Sequence, residues 1–311
     1  MRSTCWLTAL AMWASVLCGT SVGADGAPDP IREGWQYVRY YEFDRAEPYF
    51  REVLETAEAN SDRWKEATFG LAVSLHHKRP PTASAIQEAA KLFRELAEKD
   101  PNEKFAPRAL MNLARIHELR DYFQDVIELD KARAIYRKVI ESYGDRPIVD
   151  EAVLRLAQSH INTFQTDQVN QGVKVLTDWL AKHPENSLAG LMWVYLGDVY
   201  FYPLGDSARC VAAYVEADRR NSLEPGQEGV FYWRIANLAD SKLNNRDLAI
   251  VYYTKLITEV PSQGKGYQSQ LALKRLGVPE EQIPNLEWAP KPKEREQMVR
   301  QAPTTQEVAQ Q

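Results

Sequence analysis

A pattern of one small, one large and one apolar residue recurs six times along the chain and constrains its fold more than any other feature. The large residue follows the small one by four positions, and the apolar residue comes three positions later. These offsets place the three side chains on one face of a helix. The six sets are Ala46/Phe50/Val53, Ala89/Phe93/Leu96, Ala132/Tyr136/Val139, Gly172/Leu176/Trp179, Cys210/Tyr214/Ala217 and Ala249/Tyr253/Leu256. Their small residues are separated by 43, 43, 40, 38 and 39 positions, which predicts similar helical units in tandem.

A second helical pattern precedes each of these sets. Its fullest copy is Trp193-x-x-Leu196-Gly197-x-x-Tyr200. The weaker copies are Gly34/Tyr37, Gly70/Val73, Leu110/Leu113/Ala114/His117, Val153/Leu156/Ala157/His160 and Tyr232/Ile235/Ala236/Ala239. A small residue at the glycine position lets two helices approach closely, so each unit is predicted to be a pair of packed helices.

The predicted pairs can be placed along the chain. First helices are expected near 30–43, 62–77, 104–120, 147–163, 187–201 and 227–243, and second helices near 45–59, 84–99, 128–143, 168–182, 206–220 and 246–260. The expected N-caps are Asp44, Ser84, Ser187 and Asn245. Pro101, Pro184 and Pro261 mark helix ends, because proline cannot continue a helix.

Together, the two patterns and the terminal proline resemble the tetratricopeptide repeat (TPR). The resemblance covers roughly Pro30 to Gly277, and the intervals are longer than the usual repeat because of insertions at His76–Thr82 and Asp121–Ile127. It implies an all-α, right-handed α-solenoid of about six helix pairs over 25–277. A capping helix near Tyr267–Leu276 would cover the last pair. The lengthened repeats are similar to those of exported bacterial envelope proteins.

Residues 1–24 have the features of a secretory signal peptide. Arg2 is followed by an apolar run of 11 residues, Leu7 to Leu17, and by small residues before a cleavage point after Ala24. A buried N-terminal helix and a lipoprotein cut before Cys18 are the alternatives. No lipid anchor is expected at Cys18, because Leu17 stands where a small residue is required. The protein is therefore predicted to be exported, and periplasmic or associated with the cell envelope.

The rest of the chain excludes several classes of protein. No other apolar run approaches 18 residues, so no transmembrane span is expected. A net charge of −5 disfavours nucleic acid as a partner. Residues 278–311 are rich in Pro, Glu, Lys and Gln and are predicted to be a disordered tail, with only Leu286 and Trp288 as anchors.

The sequence offers no recognisable catalytic, cofactor or metal site. Gly-rich phosphate loops, G-x-S-x-G, H-E-x-x-H and CxxCH are all absent. His76 and His77 are expected to be a loop pair without further ligands, and Cys210 at a small-residue position is expected to be a buried, inert thiol. The protein is predicted to be neither an enzyme nor a binder of cofactors or metals.

The resemblance implies that the first helices line a concave groove that holds a peptide or a partner helix. Residues 193–253 are also unusually aromatic, with eleven aromatic side chains among 61 residues. Aromatic and arginine side chains are common anchors of protein interfaces. The groove residues expected from the repeat positions are Trp64, Arg108, Arg115, Glu118, Gln158, Asn162, Asp198, Phe201, Tyr202, Trp233, Asn237 and Asp240.

These features predict an exported TPR scaffold that binds other proteins or peptides of the cell envelope through its groove. One alternative is an outer-membrane assembly or cell-division accessory factor, similar to the barrel-assembly and Tol-Pal-associated proteins. Another is a glycan-binding module or a cell-wall glycan-acting enzyme, which would need Asp198 and Asp240 to converge near the aromatic residues. A structural spacer without a partner is the third alternative.

Overall fold

The computed structural model describes residues 29–99, 104–144 and 146–286. This part of the chain holds thirteen α-helices, two short 3₁₀ helices and no strand, which confirms the all-α prediction. The expected signal peptide, Cys18, Pro101 and Trp288 lie outside the described residues. Two compact units make up the chain, one ending at Thr163 and the other starting at Phe164.

The first unit contains seven of the described helices. They are α1 (Pro30–Arg39), α2 (Phe43–Thr56), α3 (Asp62–His77), α4 (Ala83–Lys99), α5 (Ala106–Glu118), α6 (Leu129–Tyr143) and α7 (Pro147–Ile161). Each helix packs against the next one in sequence, from α1 on α2 to α6 on α7. This consecutive packing is typical of an α-solenoid. Its handedness stays a prediction.

The second unit repeats this arrangement with six described helices. They are α8 (Thr166–Lys182), α9 (Ala189–Phe201), α10 (Ser207–Arg219), α11 (Glu228–Ser241), α12 (Arg246–Thr258) and α13 (Gly266–Arg275). The pairs α9–α10 and α11–α12 each pack closely, and α13 packs on α12 as the predicted capping helix. The helix bounds agree with the predicted ones to within a few residues.

The repeated small and large residues form the core that the sequence predicts. Ala46, Ala89, Ala132, Cys210 and Ala249 are fully buried, and so are the large residues four positions later. The glycines of the second pattern leave room for these large rings. A Cβ atom on Gly197 would lie 2.4 Å from the Tyr214 ring, which is closer than packed atoms allow.

Several local expectations are wrong. Asp44 lies inside α2, and Thr82 rather than Ser84 accepts a hydrogen bond at the start of α4, from the Ala85 N–H at 3.3 Å. Ser187 is not the N-cap of α9, because Leu188 takes that position without a side-chain cap, and Asn186 Oδ1 accepts from the Leu188 N–H at 3.0 Å. Asn245 is an N-cap as predicted, because its side chain accepts from the Leu248 N–H.

The pair His76 and His77 does not lie in a loop but forms the last turn of α3. His76 is buried, and its ring stacks on His77 with centroids 4.6 Å apart. The insertion itself is shorter than expected and runs from Lys78 to Thr82.

Nine residues that the sequence assigns to the tail, 278–286, are described. They contain the 3₁₀ helix Glu280–Gln282, and Ile283 is buried. The disordered tail remains a prediction for 287–311, which lie outside the described residues. No described helix is long and apolar enough to cross a membrane.

Candidate functional site on the first helices of the second unit

The predicted groove residues all lie in the first helix of a pair or directly after it. In the first unit, Trp64 belongs to α3, Arg108, Arg115 and Glu118 to α5, and Gln158 to α7, which Asn162 follows. In the second unit, Asp198 and Phe201 belong to α9, Tyr202 follows it, and Trp233, Asn237 and Asp240 belong to α11. The two sets belong to different units.

Arg234 organises the site in the second unit, although the sequence analysis did not select it. The Tyr214 hydroxyl donates a hydrogen bond to Asp198 Oδ1 at 2.6 Å. Arg234 Nη1 donates to the same hydroxyl oxygen at 2.6 Å and lies 3.4 Å from Asp198 Oδ1. These contacts join α9, α10 and α11, so the site is built on three helices at once.

The Arg234 guanidinium also holds two aromatic rings. Its central carbon lies 4.4 Å from the centroid of the Phe201 ring and 5.3 Å from that of Tyr202, which are cation–π distances. Nη2 donates to the Tyr202 hydroxyl at 3.1 Å. Tyr202 is nevertheless 65% exposed, so a large ring is held in place while most of its surface faces solvent.

Electrostatics keep this cluster in one charge state. Burial lowers the pKa of Arg234, but the hydroxyls of Tyr214 and Tyr202 and the Asp198 carboxylate raise it overall. Burial and the hydrogen bond to Asp198 raise the pKa of Tyr214. The cluster therefore presents a fixed cation and a neutral hydroxyl around neutral pH.

The same contact between a tyrosine, an acid and an arginine occurs once more in this unit. Tyr253 donates to Asp240 Oδ2 at 3.3 Å, and Arg275 of α13 binds the same carboxylate. In this way α13 takes the place of the first helix of a further pair. We call the arrangement the tyrosine–acid–arginine clasp.

A related contact in the first unit involves Tyr136. Its hydroxyl donates to Glu118 at 2.8 Å. Burial and the Glu118 charge raise the pKa of Tyr136, and the charges of Arg115 and Arg155 oppose this rise only in part. Three predicted groove acids, Glu118, Asp198 and Asp240, therefore bind tyrosines of the second helices. These contacts give the acids a role in packing, whichever ligand the first helices bind.

Apolar side chains beside this cluster were missed by the sequence analysis. Leu191, Val230 and Tyr267 lie near the N-termini of α9, α11 and α13, and they are 47%, 50% and 64% exposed. Each follows a glycine, at intervals of 39 and 37 residues. This recurring Gly–apolar pair was the signal that could have revealed them.

We define the α9–α11 face by Leu191, Asp198, Tyr202, Val230 and Arg234. Leu191, Asp198 and Tyr202 are separated by seven and four positions and so share one side of α9. Val230 and Arg234 are four apart on α11, and Arg234 contacts both Asp198 and Tyr202. The face is therefore one surface, apolar at the N-terminal ends of the helices and polar and aromatic towards their C-terminal ends.

Trp233 and Asn237 lie beside this face. The Trp233 ring packs on Tyr253 with centroids 5.6 Å apart, and Lys265 Nζ lies 5.3 Å from the Trp233 centroid. Asn237 accepts a hydrogen bond from the Ser241 hydroxyl through its backbone carbonyl at 2.7 Å. Trp233 therefore connects α11 with α12 and with the start of α13.

Among the other predicted residues of the first unit, the structure gives the following contacts. Trp64 stacks under Lys99 Nζ at 4.4 Å and lines a shallow pocket with Leu96 and Phe105. Burial lowers the pKa of Arg108 and of Arg115. The Gln158 carbonyl accepts from the Asn162 N–H at 2.9 Å, and this contact ends α7.

The histidine, cysteine and acidic side chains show no arrangement for metal or thiol chemistry in the part of the chain that the structure describes. No group of three or more His, Cys, Asp or Glu side chains that could hold a metal occurs among the described residues. Burial raises the pKa of the Cys210 thiol to about 12, so the thiolate that would react is not populated near neutral pH. Cys210 is thus a packing residue, as predicted.

Comparison with solved structures identifies the architecture. The chain is similar to the C-terminal part of a TPR repeat-containing protein from Cytophaga hutchinsonii, with a TM-score of 0.51 and 16% sequence identity over 80% of this chain and 88% of that one. The chain has a TPR-like fold. No protein-family model matches the sequence, and no curated protein matches it either. The TPR-like fold agrees with the helix pairs that the residue pattern predicts.

Proposed function

We propose that this protein is a non-enzymatic scaffold that binds segments of partner proteins on its α9–α11 face. The observation that carries the proposal is the Arg234 cluster, which fixes an exposed tyrosine beside exposed apolar side chains. TPR-like folds typically serve as scaffolds for protein–protein interactions.

The α9–α11 face is suited to binding because its side chains are already ordered before a partner arrives. Affinity is lost when long side chains must be ordered on binding. Tyr202 already has a hydrogen bond and a cation–π contact with Arg234, so little conformational entropy remains to be lost there. Asp198 is partly exposed and adds a polar contact for selectivity, while Leu191 and Val230 supply apolar area.

Two valines of matched exposure test this proposal. Val230 lies on the α9–α11 face and is 50% exposed, whereas Val251 lies on α12, outside this face, and is 51% exposed. In affinity capture from an extract of the source cells, Val230→Asp should lose the partners that the unchanged chain retains. Val251→Asp should keep them. Equal retention by both variants would refute the proposed face.

The cellular location is a further part of the proposal. The N-terminal sequence favours export to the periplasm or cell envelope, with partners that are envelope proteins. Mass spectrometry of the native N-terminus tests it, because cleavage after Ala24 leaves Asp25 as the first residue. A retained Met1 would contradict export. The identity of captured partners would distinguish an outer-membrane assembly factor from a cell-division factor.

A further inference from the structure

In the described part of the first unit, the exposed large apolar side chains all lie in two turns. Tyr40 and Tyr41 directly follow α1, whereas Phe123, Val126 and Ile127 lie in the loop between α5 and α6. Phe123 is 88% exposed and Val126 is 71% exposed. Exposed apolar patches mark surfaces that bind another protein or a membrane. We call these five residues the apolar edge.

The two turns belong to one surface of the first unit. Helix α1 contacts α3, and α3 contacts α5. Because a helix that runs back separates each from the next, all three share one direction and end at the same edge. The ring centroids of Phe43, at the start of α2, and His77, at the end of α3, are 5.2 Å apart. His76 Nε2 lies 3.3 Å from Asp121 Oδ2, which connects α3 with the loop after α5.

The loop between α5 and α6 is held by its own hydrogen bonds. The two carboxylate oxygens of Asp125 accept from the Asp121 N–H at 3.0 Å and from the Val126 N–H at 2.9 Å. The Asp125 N–H donates to the Tyr122 carbonyl at 3.2 Å, and the Tyr122 ring packs against the core. Backbone groups that leave water for lipid need partners within the protein. These three N–H groups already have them, so the loop can enter a lipid surface without leaving them unpaired.

The charges at this edge favour an anionic surface. Arg79 lies in the turn between α3 and α4, and Arg120 lies at the start of the loop after α5; both are exposed. Within the described ranges, neither arginine forms an ion pair. Acids of the same turns are already bound by cations, in the pairs Glu42–Arg45, Asp44–Lys78 and Glu128–Lys131. Basic side chains beside exposed apolar ones attract membranes that contain anionic lipid.

We propose that the apolar edge binds the surface of a membrane that contains anionic lipid. The three side chains of the loop after α5 enter the interface between headgroups and acyl chains. The two tyrosines lie at headgroup level, where this residue type is enriched, and the two arginines bind lipid phosphates. The contact is peripheral and reversible. It does not depend on the α9–α11 face, which belongs to the other unit.

Flotation with lipid vesicles tests this binding. The chain used begins at Asp25, because the apolar run Leu7 to Leu17 would bind lipid by itself, and every described residue is retained. Vesicles of phosphatidylglycerol and phosphatidylethanolamine should bind the chain about tenfold or more tightly than vesicles of phosphatidylcholine alone. Equal binding to both kinds of vesicle, or binding to neither, would overturn the proposal.

Matched substitutions assign the binding to the apolar edge. Val126→Asp should weaken binding to the anionic vesicles by about tenfold or more, because it removes apolar area and adds a negative charge. Val251→Asp, at an exposed valine of α12, should leave binding unchanged. Arg120→Gln should weaken binding by about fivefold, whereas Arg94→Gln, at an exposed arginine of α4, should not.

Urea unfolding of each variant shows whether it retains the fold, and we expect unchanged midpoints because all four positions are exposed. Equal vesicle binding by the edge variants and their controls would overturn the proposal. A protein that affinity capture loses with Val126→Asp and retains with Val251→Asp, without vesicle binding by the unchanged chain, would assign the edge to a protein partner instead.

Discussion

The hydroxyl of Tyr214 is the centre of the clasp between α9 and α11. It donates to Asp198 and accepts from Arg234, both at 2.6 Å. Tyr214→Phe removes the hydroxyl and leaves the partly buried Arg234 without one of its partners. We expect the free energy of unfolding in urea to fall by about 1–3 kcal/mol. Tyr267→Phe, at an exposed tyrosine, should change it by less than about 0.5 kcal/mol.

His77 should make stability depend on pH. Burial, followed by the charges of His76, Arg79 and Arg115, lowers its pKa from 6.5 to about 3. Below pH 6.5 the unfolded chain takes up a proton that the folded chain refuses, so stability falls as the pH falls. This single group contributes up to about 1.4 kcal/mol per pH unit.

Urea unfolding between pH 6.5 and 5 checks this expectation, because most carboxylates remain ionised there. His77→Phe keeps the ring that packs 5.2 Å from Phe43 but cannot take up a proton. The variant should lose less stability over this range than the unchanged chain. An identical loss in both would show that His77 is not responsible.

Single residues of the site were predictable only where the sequence carries a local signal. Phe201 and Tyr202 stand out in an aromatic segment that follows a complete repeat helix, and both contact Arg234. Arg234 carries no such signal. Its importance comes from contacts with residues 32 and 36 positions away, which only the packing of two pairs brings together.

At the scale of helices, two glycines let α1 and α3 close on the same ring. A Cβ atom on Gly70 would lie 2.4 Å from the Phe50 ring, and one on Gly34 would lie 2.8 Å from it. Alanine normally stabilises a helix relative to glycine. At Gly70 we expect the cost of overpacking against the Phe50 ring to exceed this gain. Gly70→Ala should therefore destabilise the chain by about 1–3 kcal/mol, which is more than the effect of Gly34→Ala.

Thermal or urea unfolding of Gly70→Ala and Gly34→Ala shows which of the two variants is destabilised more. In a Phe50→Leu background the ring is absent, and the penalty of Gly70→Ala should shrink. A stabilising effect of Gly70→Ala in the unchanged background would contradict the close approach of α2 and α3.

The positions of the helices were predictable, because burial of one face imposes the helical period on the sequence. The residues that cap the helices were not. Ser, Thr, Asp and Asn are common near helix starts, and any of several neighbours can accept the free N–H groups. Thr82 accepts at the start of α4 where Ser84 was expected, and α9 has Leu188 as its N-cap, without the side-chain cap expected from Ser187. The loop after α5 has its own hydrogen bonds, including Glu128 N–H to the His117 carbonyl at 2.7 Å, which no periodic pattern predicts.

At the scale of the whole molecule, the last helix covers the end of the second unit. Leu273 is fully buried and Arg275 binds Asp240 of α11. A chain ending at Gly264 would expose the surface of α12 that α13 covers, and solenoids require such end caps for solubility. We expect it to aggregate or unfold at lower urea than a chain ending at Leu286. Similar solubility and unfolding midpoints would contradict the capping role.

The division into two units was not predictable from the repeats. The six sets recur with similar spacing, and the set with Leu176 differs in lacking a ring at the large position. Contacts, rather than pattern, place the change of unit after Thr163. Periodicity reports which faces are buried locally, but it does not report how strongly one pair packs on the next.

Site-specific photo-crosslinking in the source cells tests the central claim, binding on the α9–α11 face, most directly. A photoreactive phenylalanine replaces either Tyr202 on this face or Val251 on α12, and both positions are exposed enough to accept it. We expect a discrete crosslinked partner protein from position 202 and none from position 251. Crosslinks from position 251 alone, or from neither position, would contradict a binding face on α9 and α11.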